Sequence, residues 1–159
     1  KIPVYGSNRT ANVLKKNHTF CFIPKHGYKP IMKIFSIKDN FKIKKNKTII
    51  SIKAFNVSHG LINATGYLFD KVAYLSDCNK IPKNSMKLLK GLNFLIIDCL
   101  RKNKHPSHFN YDEALEMINI LKPKKAILTN LHTDLDYNYL KKKLPTNIVP
   151  AHDGLKFNF

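Results

Sequence analysis

Long apolar runs are missing from this 159-residue sequence. Its longest, such as Phe94-Leu95-Ile96-Ile97 and Ala126-Ile127-Leu128, fall far short of the ~20 residues that a membrane-spanning helix requires, so no membrane partner is expected. Cysteine is scarce. Cys21, Cys78 and Cys99 are odd in number and without C-x-x-C spacing, which argues against a disulfide framework or a cysteine-built zinc site and fits a reducing cytoplasm. Internal repeats, low-complexity blocks and linkers are also lacking, so residues 1–159 read as a single domain. The start, Lys1-Ile2-Pro3-Val4-Tyr5, has neither an initiator Met nor an apolar signal-like core, and reads as an internal starting point with a segment removed upstream.

Acidic residues are the other shortage. Residues 1–60 hold 13 Lys/Arg against one acid, Asp39, and the whole chain carries a formal net charge of +18. So basic a chain can bind nucleic acid by neutralising phosphates, but its lysines are scattered among Asn and Ile and read equally as a solvated exterior. What is present is an ordinary apolar fraction of 43%, enough for one substantial core.

Periodicity predicts a short helix over Thr10–Lys16 with Thr10 as its cap, and strands at Phe20–Ile23, Ile31–Ile37 and Thr48–Val57. In the last of these, Ile50, Ile52 and Ala54 are expected to face inward. Gly66–Phe69 and Val72–Leu75 read as a hairpin around Asp70-Lys71. Then the pattern changes. A helix over Asn84–Lys90 is ended by Gly91, a buried strand spans Asn93–Leu100, and a helix follows at Tyr111–Lys122. A strand at Lys125–Thr129, a helix at Leu135–Leu144 and short strands at Ile148–Val149 and Leu155–Phe157 complete an α/β chain. In such folds the polar residues at strand ends gather along one edge.

Four residues stand at such ends. His59 follows the strand closing at Val57, and neutral imidazole is the commonest ligand for zinc-like metals, though a lone histidine is more often an ordinary surface or core residue. Asp77 ends the strand Val72–Ser76, where a carboxylate can bridge two ions or simply open an Asx-turn. His108, in His105-Pro106-Ser107-His108, precedes the helix near Tyr111 and can donate a proton or hold an anionic oxygen, or serve as a loop or cap residue. His132 lies two residues after Asn130, on the same face if the chain stays extended there.

In order and context these residues resemble the metallo-β-lactamase superfamily. That superfamily carries an H-x-H-x-D-H motif, a lone His after a strand, an Asp ending the next hairpin and a His after a late strand. The last three are matched by His59, Asp77 and the Asn130/His132 region. The likeness extends to the phosphodiesterase branch containing phosphoribosyl cyclic phosphate phosphodiesterase and, more distantly, tRNase Z. It runs through Thr65-Gly66-Tyr67, Val72–Asp77, Leu95-Ile96-Ile97-Asp98-Cys99, His105–His108 with Ala114-Leu115, Ile127–Asn130 and Ala151-His152-Asp153-Gly154. The H-x-H-x-D-H motif is absent from the chain, and Asn130 stands where many members read Leu-Thr-His.

The resemblance implies an αββα sandwich, incomplete at the N-terminus, and a pair of divalent metals, zinc or manganese, that activate water for in-line attack on a phosphodiester. His59 would bind one metal, Asp77 would bridge both, and His132 would complete the second site. His108 would protonate the leaving oxygen or stabilise developing charge, with His105 beside it on the substrate. The expected substrate is a small cyclic or nucleotide-like phosphodiester. This chain alone is expected to hold one metal or none and to be inactive, and an uncovered strand edge favours a homodimer. The rivals are a tRNA-processing nuclease and a metal-free nucleic-acid-binding domain of the same fold.

Overall fold

The computed structural model describes residues 1–158 and, at Lys45, the backbone alone, so Phe159 of the expected unit lies outside the described residues. The chain opens with β1 (Ile2–Gly6), α1 (Asn8–Asn17), α2 (Thr19–Phe22) and β2 (Met32–Ser36). It continues through β3 (Asn40–Lys45), β4 (Thr48–His59), β5 (Ile62–Phe69), β6 (Val72–Leu75), α3 (Lys83–Met86) and β7 (Phe94–Asp98). α4 (Tyr111–Leu121), β8 (Lys125–Thr129), α5 (Tyr137–Lys143) and β9 (Ile148–Pro150) follow.

β1 and β2 pair in parallel as a two-stranded sheet, and the other seven strands form a mixed sheet in sequence order. β3 to β6 run as an antiparallel meander, because short turns can join antiparallel neighbours. β6 to β9 are parallel, so each step needs a crossover, supplied in turn by α3, α4 and α5. Parallel strands covered on both faces lose the polar alternation, and the interiors of β7 and β8 are accordingly almost wholly apolar. Leu95, Ile97, Ala126 and Leu128 pack in one core with Ala114, Ile118 and Leu121 of α4.

Helix ends follow local chemistry. Asn110 and Glu113 form a reciprocal capping box at the start of α4, and Asp136 caps α5, whose last turn carries Lys141, Lys142 and Lys143 against the carbonyl end of the helix dipole. Ser7 caps α1 by accepting from the Thr10 amide, so the expected cap residue instead sits inside the first turn.

Several sequence expectations are corrected. Phe20–Ile23 is not a strand: residues 19–22 form a helical turn that continues α1, with the Thr19 hydroxyl donating to the Lys15 carbonyl and Cys21 buried beneath it. A four-residue apolar run carries no period that separates the two states. The helix expected over Asn84–Lys90 closes after Met86, and Leu155–Phe157 is not a strand. The Phe157 ring instead stacks on Phe94 at 5.0 Å. The unexpected strand β3 pairs with the first half of β4. In β4 the fully buried side chains are Phe55 and Val57, whereas Ile50 is 47% exposed. The opposite face, with Ile52 and Ala54, is half-buried. It lies towards the small sheet, through Tyr5 stacked on Phe41 and Phe41 edge-on to Tyr67.

Gly66 of β5 lies opposite Phe55, and a Cβ there would stand 2.6 Å from both the Phe55 ring and Leu75 Cδ2. The ring occupies the space that a side chain would need. Gly66→Ala should therefore destabilise the chain by about 1–3 kcal/mol through overpacking, measured by urea unfolding. A change near zero would show that the Phe55 ring moves aside freely.

Candidate metal centre

β4 and β6 run in the same direction because β5 separates them antiparallel, so their C-terminal ends reach one edge of the sheet together with those of β7 and β8. At that edge stand His59, the last residue of β4, and Asp77, two residues past β6. The loop from β7 to α4 returns over the same edge and delivers His108. One ligand atom from each of His59, Asp77 and His108 lies within 4.8 Å of the other two.

His59 Nε2 and His108 Nε2 are 3.1 Å apart, with His59 and His108 half-buried and Asp77 exposed. Ligands on one zinc ion sit at ~2.0–2.2 Å from it, which places neighbouring donor atoms at about this separation. Two imidazoles and a carboxylate thus fit a divalent cation in both spacing and chemistry. Asp77 accepts a 2.8 Å hydrogen bond from the Ser76 hydroxyl, which orients its carboxylate.

The turn beside His59 is held from below. Asn79 accepts from the Gly60 amide through Oδ1 and donates to the Pro106 carbonyl through Nδ2, tying the β4–β5 turn to the loop of residues 105–108. Gly60 has φ +61°, and a Cβ there would come within 3.1 Å of Ser107, so glycine answers both the backbone and the close approach.

Beneath His108 lies Asp98, which has no solvent exposure. Its Oδ2 accepts from His108 Nδ1 at 2.6 Å and from the Cys78 amide at 3.0 Å, and its Oδ1 accepts from Asn130 Nδ2 at 3.2 Å. Burial pushes the Asp98 carboxyl above the usual carboxylate range, while these hydrogen bonds pull it back. The adjoining thiols are inert: burial raises both, Cys99 up to about 12, with the Asp98 charge adding to the effect. His105 lies beside His108, ring centroids 5.0 Å apart. Desolvation, followed by the Arg101 charge and the His108 and His59 imidazoles, holds His105 below the usual histidine range.

His132 is placed differently. Asn130 has φ +64°, so the chain turns instead of staying extended, and the two side chains diverge. The Asn130 amide meets Asp98, whereas His132 Nδ1 pairs with Asp134 at 3.1 Å and is not in the group of three. Asp98 and Asn79 were given no role by sequence reasoning, and Asn130 was weighed only as the alternative to His132 in the late ligand position. A carboxylate directly after Leu95-Ile96-Ile97 was a usable signal, since a buried charge must be paired.

A family model for the beta-lactamase superfamily domain matches residues 1–130. The chain belongs to this superfamily. A diphosphatase from the PhnP family is 31% identical with a TM-score of 0.85, over 99% of this chain and 57% of that one. The short form of human tRNase Z, at 16% identity and TM-score 0.60, and zinc-bound PqqB from Methylobacterium extorquens, at 12% and 0.75, share the beta-lactamase fold. They cover 96% and 99% of this chain, and 66% and 64% of theirs. An octanoyltransferase of Porphyromonas gingivalis is 27% identical over 130 residues, 80% of this chain but 26% of that protein. The chain thus spans little over half of the diphosphatase and about a quarter of the octanoyltransferase. The α/β sandwich expected from the sequence is the superfamily's αββα fold. Among the described residues, no helix is long and apolar enough to cross a membrane.

Zinc titrated into the chain should saturate at one ion, read by calorimetry. His59→Ala and Asp77→Ala should each weaken binding by roughly tenfold or more, since losing a ligand costs at least as much as losing a group that orients one. His132→Ala should leave this ion unaffected, and a loss equal to that of His59→Ala would move the centre towards Asp134.

Proposed function

We propose that this chain forms part of a metal-dependent hydrolase acting on a small phosphodiester. The observation that carries the reading is the convergence of His59, Asp77 and His108 at one sheet edge, with a second imidazole, His105, alongside. The 31% identity to a diphosphatase supports hydrolysis at phosphorus over other hydrolyses.

In this reading His59 and Asp77 hold the cation, and His108, although its Nε2 lies at ligand spacing from His59, is kept for proton transfer. A divalent ion there supplies Lewis-acid stabilisation of phosphoryl charge and lowers the pKa of a water molecule. His108 presents Nε2 to the same space while its Nδ1 is held by Asp98, so once Nε2 has taken up a proton it can pass that proton to the leaving oxygen. His105, held below the usual histidine range, can donate to a phosphate oxygen from its neutral form. A second ion, zinc or manganese like the first, would draw on the H-x-H-x-D-H motif that the chain lacks, and the assignment of His132 to it rests on the resemblance alone.

The test is hydrolysis of a bis-aryl phosphate with added zinc or manganese. The 159-residue chain should be inactive, and a protein joining it to an H-x-H-x-D-H segment should be active. There, His108→Ala should lower turnover by ~10²-fold or more with metal retained, while His59→Ala loses metal and activity together. Metal loss on His108→Ala would make His108 a ligand, and inactivity with every metal would refute the hydrolase reading.

One observation favours a nucleic-acid partner as a second reading. The β3–β4 register places Lys42, Lys44 and Lys53 on one face of the hairpin. Binding to single-stranded RNA that weakens steeply with salt, and loses slope when these lysines become Gln, would support it. Salt-independent or absent binding would remove it.

A further inference from the structure

We propose that Asn130 is a positioning residue: its amide anchors the buried Asp98 carboxylate, which in turn holds His108 in the Nδ1–H form with Nε2 aimed at His59. This rests on reading His108 as a site residue, and it concerns how the chain aims that imidazole, whatever reaction follows.

Asn130 directly follows β8 and has the left-handed φ of +64°. Few residues other than glycine adopt this conformation cheaply, and Asn is among them. The left-handed turn directs its side chain towards Asp98, with Nδ2 3.2 Å from Asp98 Oδ1 and 3.5 Å from the Ser76 carbonyl oxygen. Chemistry assigns the orientation of the amide. With the oxygen turned the other way it would face a carboxylate and a carbonyl, both acceptors. Asn130 Nδ2 also lies 3.4 Å from His108 Nδ1, but two donors do not bond. Both are aimed at the carboxylate instead.

The division of labour on Asp98 makes Asn130 specific. Oδ2 serves the Cys78 amide and His108, and among the described residues the side-chain donor to Oδ1 is Asn130. Two bonds on Oδ2 still allow the carboxylate to pivot about that oxygen. The third, on Oδ1, removes the pivot. A fixed Oδ2 selects the imidazole form with hydrogen on Nδ1, and Nε2 is left bare 3.1 Å from His59 Nε2. A ligand or catalytic imidazole is oriented by whatever its other nitrogen donates to, and disturbing such a partner typically costs 10–100-fold in metal affinity or activity. Here that partner itself requires a second support.

The test reads the tautomer and not the reaction. In the 15N-labelled, metal-free chain in alkaline buffer, long-range 1H–15N correlations report which ring nitrogen of each histidine carries hydrogen, and His108→Gln identifies the His108 signals by their disappearance. The wild type should show a single Nδ1–H form at His108. Asn130→Gly suits the left-handed backbone better than Asn and lacks only the amide, so the backbone gain should offset much of the lost hydrogen bond and the melting temperature should fall only slightly, while His108 becomes a mixture of both forms. Asn130→Asp, similar in shape but repelled by Asp98, should do the same and serves if the glycine variant folds poorly. A purely structural Asn130 would lower the melting temperature and leave the tautomer alone. An Nε2–H form in the wild type, or an unchanged Nδ1–H form in both variants, overturns the proposal. A protein that cleaves no phosphodiester yet shows the tautomer change refutes the hydrolase reading and leaves this one standing.

Discussion

A carboxylate removed from water must be hydrogen-bonded on its oxygens or it destabilises the fold by several kcal/mol. Asp98 meets that requirement with donors from three separate chain segments: the Cys78 amide after β6, the His108 imidazole in the β7–α4 loop and the Asn130 amide after β8. One buried charge thereby draws the ends of three parallel strands and a loop together. The geometry of the centre above it follows. His108 is fixed from below, and Asp77, one residue before Cys78, is carried to the same edge.

The centre also depends on the core beneath it. Apolar residues interior to β7 and β8 pack against α4, and Asn110, two residues after His108, caps the start of that helix. The reciprocal cap of Asn110 with Glu113 fixes where the loop must end. Asn79 stitches the other rim, so the β4–β5 turn carrying His59 and the loop carrying His108 share one clamp. The His132 side chain lies apart from this arrangement and faces Asp134, while Asp134 accepts from the Lys102 amide.

Much of the fold was legible where period and punctuation agree. The strand before His59, the Asp70-Lys71 turn, the apolar stripe of α4 and the apolar run of β8 each carry a local signal, and each element forms as expected. Residues 20–23 and 155–157 misled because segments of three or four residues are too short to carry a period. The inward face of β4 was misassigned because burial there is decided by the long-range partners Gly66 and Leu75, not by Ile-rich alternation. At the site, His59, Asp77 and His108 were visible as polar residues at strand ends. Asn130 was weighed only against His132 for the late ligand position, because its contact with Asp98 depends on a left-handed turn that also sends His132 elsewhere, and an extended reading of Leu128–His132 conceals both effects.

Membership of the beta-lactamase superfamily accounts for the sheet order and the site edge, while the residues at that edge decide the chemistry. The central claim is that His59 and Asp77, with Nε2 of His108 facing them, form a cation centre. Anomalous diffraction from crystals of the chain grown with zinc tests this most directly. The account predicts one peak within coordination distance of His59 Nε2 and the Asp77 carboxylate, with His108 still bonded to Asp98 through Nδ1. A peak between His132 and Asp134, or no peak at the strand ends when zinc is in excess, would contradict it.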